Sequence, residues 1–183
     1  MRTPTFETAR LLLQPVRLED AAQVQQLFPQ WEVVKYLNVV VPWPFPEDGV
    51  EVFYRERALP AAERGEEWHW TIRLKEDPDQ IIGAISLHLS REINRGFWIA
   101  PPWRGRGLMT EAVAEVTRFW FEELGQPVLR TKKAVANAAS RAISVREGMR
   151  CVALIEDEYV CGKLPTEVWE MDAAEWRKRR CRD

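Results

Sequence analysis

The sequence contains no apolar run approaching the ~18 residues that a membrane-spanning helix needs. Its opening, Met1-Arg2-Thr3-Pro4-Thr5, lacks the apolar core of a secretory signal, which leads us to expect a cytoplasmic protein. Cysteine is scarce. Cys151, Cys161 and Cys181 show no metal-ligand spacing, and an odd number of them without a secretory signal points to reduced thiols. Histidine is scarcer still, with only His69 and His88. No metal is expected. The formal charge of −2 lacks the positive excess of a general nucleic-acid binder. Repeats, low-complexity tracts and linkers are absent too. The 183 residues are therefore expected to form one domain, 1–183, burying roughly two-thirds of the unfolded surface.

Apolar residues, by contrast, make up 46% of the chain, and nine of its residues are tryptophan, enough for a core and for part of a groove. Arg10 to Val16 reads as a strand, followed by a helix from Glu19-Asp20 through Phe28 and a short helix around Glu32 to Leu37. Three prolines keep Val39 to Pro46 extended. A further helix is expected from Glu47 to about Ala62. Glu67 to Lys75 and Gln80 to Ser90 read as paired strands across a turn at Asp77-Pro78-Asp79. Beyond Ile93 to Ala100 the pattern changes to strand–helix alternation. The closing strands are Met149 to Glu156 and Thr166 to Met171, with a basic tail after Trp176. One mixed sheet with helices on its faces accommodates this order.

The most informative stretch is Pro101 to Ala112, PPWRGRGLMTEA. It follows the apolar Gly96 to Ala100 and precedes apolar positions at 108, 109, 112, 113, 116, 119, 120 and 124, which have helical period. It therefore reads as strand, glycine turn, helix start. A helix start presents free N–H groups and the positive end of the macrodipole. Two glycines let an anion approach that backbone, and two arginines add charge. Farther on, Asn137 is placed to cap a helix over Ala138 to Glu147, with Gly148 at its end.

The literal pattern Arg104-x-x-Gly107-x-Met109 resembles the signature of the GNAT acetyltransferases: Gln or Arg, two residues, Gly, one residue, Gly or Ala. Met109 stands where that signature has a small residue. Asn137 to Met149 is similar to the Asn-x-x-Ser helix ending in Gly-Phe of the branch that includes ribosomal-protein-alanine N-acetyltransferases. Gly96-Phe97-Trp98-Ile99 is similar to that branch's Gly-Tyr-Trp-Leu strand. The resemblance implies an α+β fold: one mixed, mostly antiparallel twisted sheet of about seven strands, helices on both faces, and a splayed central parallel pair.

The resemblance also implies acetyl-CoA as cosubstrate. Its pyrophosphate would lie on the turn formed by Arg104, Gly105, Arg106, Gly107, Leu108 and Met109. Its pantetheine arm would follow the main chain of Trp98, Ile99 and Ala100, with Asn137 and Ser140 beside it. Ser140 would stand near the sulfur and protonate the departing thiolate. Relatives place a Glu-x-Gly where this chain has Asn94-Arg95-Gly96, so Glu92 becomes the base candidate by proximity. Trp43, Phe45, His69 and His88 are the acceptor-side candidates. The acceptor is an amine, either a protein N-terminus, which the resemblance favours, or a small molecule such as an antibiotic or polyamine. A non-catalytic acyl-CoA sensor also stays open at this point, as does a homodimer. Neither a membrane nor a nucleic acid is expected as partner.

Overall fold

A computed structural model of the protein describes residues 1–89 and 92–180. Two short strands, β1 (Phe6–Glu7) and β2 (Leu11–Pro15), lead into α1 (Ala21–Leu27) and α2 (Trp31–Val34). α3 (Gly49–Phe53) continues through a π-helical turn, Tyr54–Ala58, into α4 (Leu59–Glu63). The helix therefore runs past Pro60. The wide turn before it absorbs the carbonyl that a proline, having no N–H, cannot bond. Then come β3 (Glu67–Leu74), β4 (Asp77–His88), β5 (Arg95–Ile99), α5 (Leu108–Arg118), β6 (Val128–Ala134) and α6 (Ala138–Glu147). β7 (Arg150–Tyr159), β8 (Gly162–Asp172) and α7 (Ala173–Arg180) close the chain.

The strands form two antiparallel sheets, ordered β1-β2-β3-β4-β5 and β6-β8-β7. The splay between β5 and β6 is thus wide enough to interrupt the ladder. A stitch joins the sheets: Asn94 N–H donates to Arg130 O at 2.9 Å, and Arg130 N–H donates to Asn94 Oδ1 at 2.9 Å. The Asn94 side chain also donates to His88 O at 3.2 Å, so one asparagine fastens β4, β5 and β6 together.

β3 shows why helices are needed on both faces. Trp68, Trp70, Ile72 and Leu74 enter one core with Leu108, Ala112, Val116, Phe119 and Trp120 of α5 and its extension. The alternate residues Glu67, His69, Thr71 and Arg73 are buried as well. Alternation puts them on the opposite face, the side of a second core built on Val24, Val50, Tyr54 and Ala58 of the early helices. The buried indoles find acceptors for their N–H groups, as Trp70 does at Pro4 O (2.6 Å) and Trp120 at Val128 O (2.9 Å).

Two local expectations need correction. The β3–β4 turn falls at Lys75-Glu76, and Asp77-Pro78-Asp79 opens β4 as an irregular stretch. Arg73 explains this: its Nη1 donates to Pro78 O at 2.9 Å, while Nη2 pairs with Asp20 at 2.6 Å. The second concerns the basic tail, read without an element: it forms helix α7 as far as Arg180, with Trp176 buried and stacked on Phe121 at 5.4 Å while Arg177 to Arg180 stay exposed. Arg182 and Cys181 lie outside the described residues, and Cys151 and Cys161 are free and exposed. No helix among the described residues is long and apolar enough to cross a membrane.

Candidate active site

A cleft of about 1200 Å³ opens where β5 and β6 part. At one end lies the glycine turn. Gly105 and Gly107 adopt φ of 74° and 76°, and Gly107 is the N-cap of α5. Such left-handed φ values are strained for any residue with a Cβ. The first turn of α5 is braced from β1 and β2. Thr8 Oγ1 and Arg10 N–H both donate to Glu111 Oε1, at 2.6 and 2.8 Å, and Arg10 Nε bonds Oε2 at 2.7 Å. Burial pushes the Glu111 carboxyl up, but these bonds outweigh it and hold its pKa below the usual value.

The two arginines of the turn differ: Arg104 lines the cleft and Arg106 does not. The Arg104 guanidinium turns back to main-chain carbonyls, Ile99 O at 3.2 Å and Glu32 O at 2.8 Å. It therefore ties the turn to α2. Arg106 stays exposed and is not among the residues lining the cleft, and its carbonyl accepts from Arg10 at 3.0 Å. Leu108 and Met109 line the cleft but send most of their side chains into the core, so the bulk of Met109 does not cover the helix end.

Along β5 the main chain sorts the donors. Ala100 N–H bonds Ile82 O at 2.9 Å, and Ala100 is fully buried. Antiparallel alternation then turns the polar groups of Trp98 toward β4 as well and leaves those of Phe97 and Ile99 facing the cleft. The expectation that Trp98 and Ala100 offer amides is corrected accordingly. Ile99 keeps its place, Phe97 joins it, and the Trp98 indole lines the wall, edge-on to Phe28 at 5.5 Å.

On the β6 side, Asn137 caps α6, its Oδ1 accepting Ser140 N–H at 3.2 Å. Both residues line the cleft, and Ser140 is buried. Lys133 of β6 is also buried there, its Nζ standing 4.3 Å from the centre of the Phe97 ring. Burial first, and then the Arg95 charge, lower its pKa to about 7 against a weaker opposing effect of Glu147.

The far wall holds a chain of polar groups from the β3–β4 hairpin. Register places Glu67 opposite His88 and His69 opposite Ser86. Glu67 Oε2 lies 2.8 Å from His69 Nε2 and 3.2 Å from His88 Nδ1, and His88 Nε2 lies 2.9 Å from Ser86 Oγ. All three of Glu67, His69 and His88 are buried, and both imidazoles line the cleft. Sequence reasoning missed Glu67, although the i, i+2 spacing of Glu67 and His69 on a strand was a signal for it.

Glu92 is displaced from its expected role. Its carboxylate is exposed on the outside of the stitch, 3.8 Å from Arg130, and does not line the cleft. Trp43 does not line the cleft; its ring packs tilted against Trp31 at 5.6 Å and remains half-exposed. Phe45 does line the cleft, packed on Phe28 at 5.1 Å.

The known proteins that this chain resembles share this architecture. It is 38% identical over 72 residues to a Bacillus subtilis protein named "Putative ribosomal N-acetyltransferase YdaF". That match spans 37% of this chain and 39% of the relative, so it covers well under half of the relative's length. The similarity to the uncharacterized N-acetyltransferase YoaA of the same organism is broader, 25% identity over 151 residues, covering 80% of this chain and 83% of YoaA. Among solved structures, the ribosomal-protein-S5-alanine acetyltransferase of Vibrio fischeri superposes with a TM-score of 0.78 at 14% identity, over 94% of this chain and 98% of that one. At that identity the likeness speaks for the fold alone. The sequence profile described as the acetyltransferase (GNAT) domain matches residues 10–150, more than half of the chain, and the protein therefore belongs to the GNAT acetyltransferase family.

Proposed function

We propose that the enzyme transfers an acetyl group from acetyl-CoA to the amine of a protein N-terminus, by direct attack in a ternary complex. The observation that carries this reading is the cleft itself, which runs from a glycine-built helix start to a buried Glu67–His69–His88 cluster. The residues fit the donor. The amides of the Gly105–Met109 turn suit a pyrophosphate, because they combine an open helix N-terminus with glycines that leave the approach clear. Phe97 and the Ile99 N–H offer main-chain groups along a strand edge that β6 does not pair, the kind an extended pantetheine arm would pair with. When bound, acetyl-CoA supplies an activated carbonyl.

The remaining work falls to side chains. An amine is mostly protonated near neutral pH and must lose a proton to attack. The His69–His88 pair takes that proton, with the Glu67 carboxylate orienting both rings and stabilising the positive charge they gain. A Phe97 or Ile99 N–H steadies the developing oxyanion. Ser140, at the start of α6, donates to the departing sulfur. This assignment removes the reason for a sensor reading, which was the missing glutamate at Asn94.

The acceptor side is walled by Phe28, Phe45 and Phe53. A cleft of about 1200 Å³ exceeds the ~300–1000 Å³ common for single small ligands and suits a cosubstrate together with a peptide end. The names of the ribosomal-protein relatives point the same way. Measuring CoA release over a panel of N-terminal peptides, polyamines and aminoglycosides tests the reading. Peptides should turn over at least tenfold faster than the small amines; the reverse order would assign a small-molecule acceptor.

A further inference from the structure

The acetyl-transfer scheme leaves Lys133 without a role. It sits on β6 at the gap, in the cleft wall beside Phe97, whose main chain faces the same space. Its surroundings do not suit a cation. The charged groups that face it are Arg95 from β5, which repels it, and Glu147 from α6. Both oxygens of Glu147 are already engaged by Arg95, at 2.8 and 2.5 Å. Among the described residues no carboxylate lies within ion-pair distance of the Lys133 Nζ, and the face of the Phe97 ring stands beside it. Desolvation of this kind favours the free amine.

We propose that Lys133 is an internal acyl acceptor: with no acceptor amine in the cleft, its ε-amine takes the acetyl group and the enzyme modifies itself. This rests on the reading of the cleft as the acetyl-CoA site. The Nζ lone pair adds to the thioester carbonyl carbon. The N–C bond forms as the C–S bond breaks, and the proton lost from nitrogen goes to the departing thiolate. No oxidant or further reactant is needed. The product is a neutral amide that removes the unfavourable buried charge beside Arg95. It also lengthens the side chain into the space between β5 and β6, so the modified enzyme should bind the donor less well.

The lowered pKa of about 7 supports this chemistry and makes it specific. At pH 7 about half of such an amine is free, against roughly one part in 2500 of an ordinary lysine. The test is to incubate the full chain with acetyl-CoA and no acceptor, then map acetylated lysines by mass spectrometry against time and pH. Donor binding is followed separately by calorimetry. Lys133 should be acetylated at least tenfold faster than exposed lysines such as Lys163. Its rate should level off just above pH 7, where exposed lysines keep accelerating, and the advantage should vanish in urea. Both Lys133→Arg and Lys133→Met should lose that acetyl group. Measurable acetyl-CoA binding with Lys133 unmodified, or modified no faster than Lys163, would overturn the proposal and leave the donor site standing. Absence of any acetyl-CoA binding would remove both.

Discussion

Arg95 and Glu147 form a two-pronged ion pair between β5 and α6, with the guanidinium entirely buried. Thr117 of α5 completes it, accepting from Arg95 at 2.6 Å and donating to Glu147 at 2.9 Å. The pair spans the two sides of the cleft below Lys133. Removing one partner of such a pair leaves a buried charge uncompensated, at a cost of about 3–5 kcal/mol. Glu147→Gln is therefore expected to destabilise the protein by about 3 kcal/mol in urea unfolding. The double variant Arg95→Leu/Glu147→Leu should lose less than the sum of the two single losses.

Gly107→Ala tests the anion cradle. The added Cβ would meet only Arg10 Nη2, at 3.6 Å, so the penalty is conformational, about 1–2 kcal/mol for a left-handed φ. The folded protein should survive, while acetyl-CoA affinity measured by calorimetry falls at least tenfold. Gly105→Ala, whose Cβ meets nothing within 4 Å, lies in the same turn and should weaken acetyl-CoA binding in the same direction.

His88→Ala and His69→Ala should each lower kcat/KM by about 10²–10⁴-fold if the pair accepts the amine proton. The loss should appear in steady-state kinetics with a peptide acceptor while the variants stay folded. Glu67→Gln keeps the shape of the cluster and removes the charge, so it should lower kcat with little change in KM. Glu92→Ala should leave both unchanged, since its side chain lies outside the cleft.

Glu111 links stability to pH. Its pKa in the folded state is depressed below the 4.5 of an unperturbed carboxyl. A depressed carboxyl contributes stability that is present in full above the unfolded value and is lost as pH falls through the folded one. Acid titration of the unfolding free energy should show this loss beginning near pH 4.5. Glu111→Gln, which carries no titrating group, should flatten that part of the curve and lower stability at pH 7.

The glycine-turn end of the cleft was legible in the sequence because local rules write it. Gly105 and Gly107 mark the turn, the apolar period marks α5, and Asn137 and Gly148 bracket α6. The Glu67–His69–His88 cluster on the far wall was not legible, because it depends on register: Glu67 meets His88 only once β3 and β4 pair. The turn at Lys75-Glu76 was hidden for a similar reason, since Arg73 shapes it through Asp20, far away in the chain. The α7 helix was hidden because Trp176 needs Phe121 to bury it. Main-chain direction at Trp98 and Ala100 was invisible too, because which residues of a strand face a neighbour depends on which strand pairs with it.

The stitch at Asn94 and Arg130 leaves the molecule, in effect, one strand short. Among the described residues the main chains of β5 and β6 do not continue the ladder beyond that stitch. On the proposed reading a metabolite takes the place of the missing strand. Rigidity then becomes a property the cell adjusts through its acetyl-CoA supply. At a ligand concentration of about 100 times Kd, mass action adds ~2.7 kcal/mol to folding stability. A starved enzyme would be softer, exchange its β5 and β6 amides faster, and be cleared sooner than a supplied one.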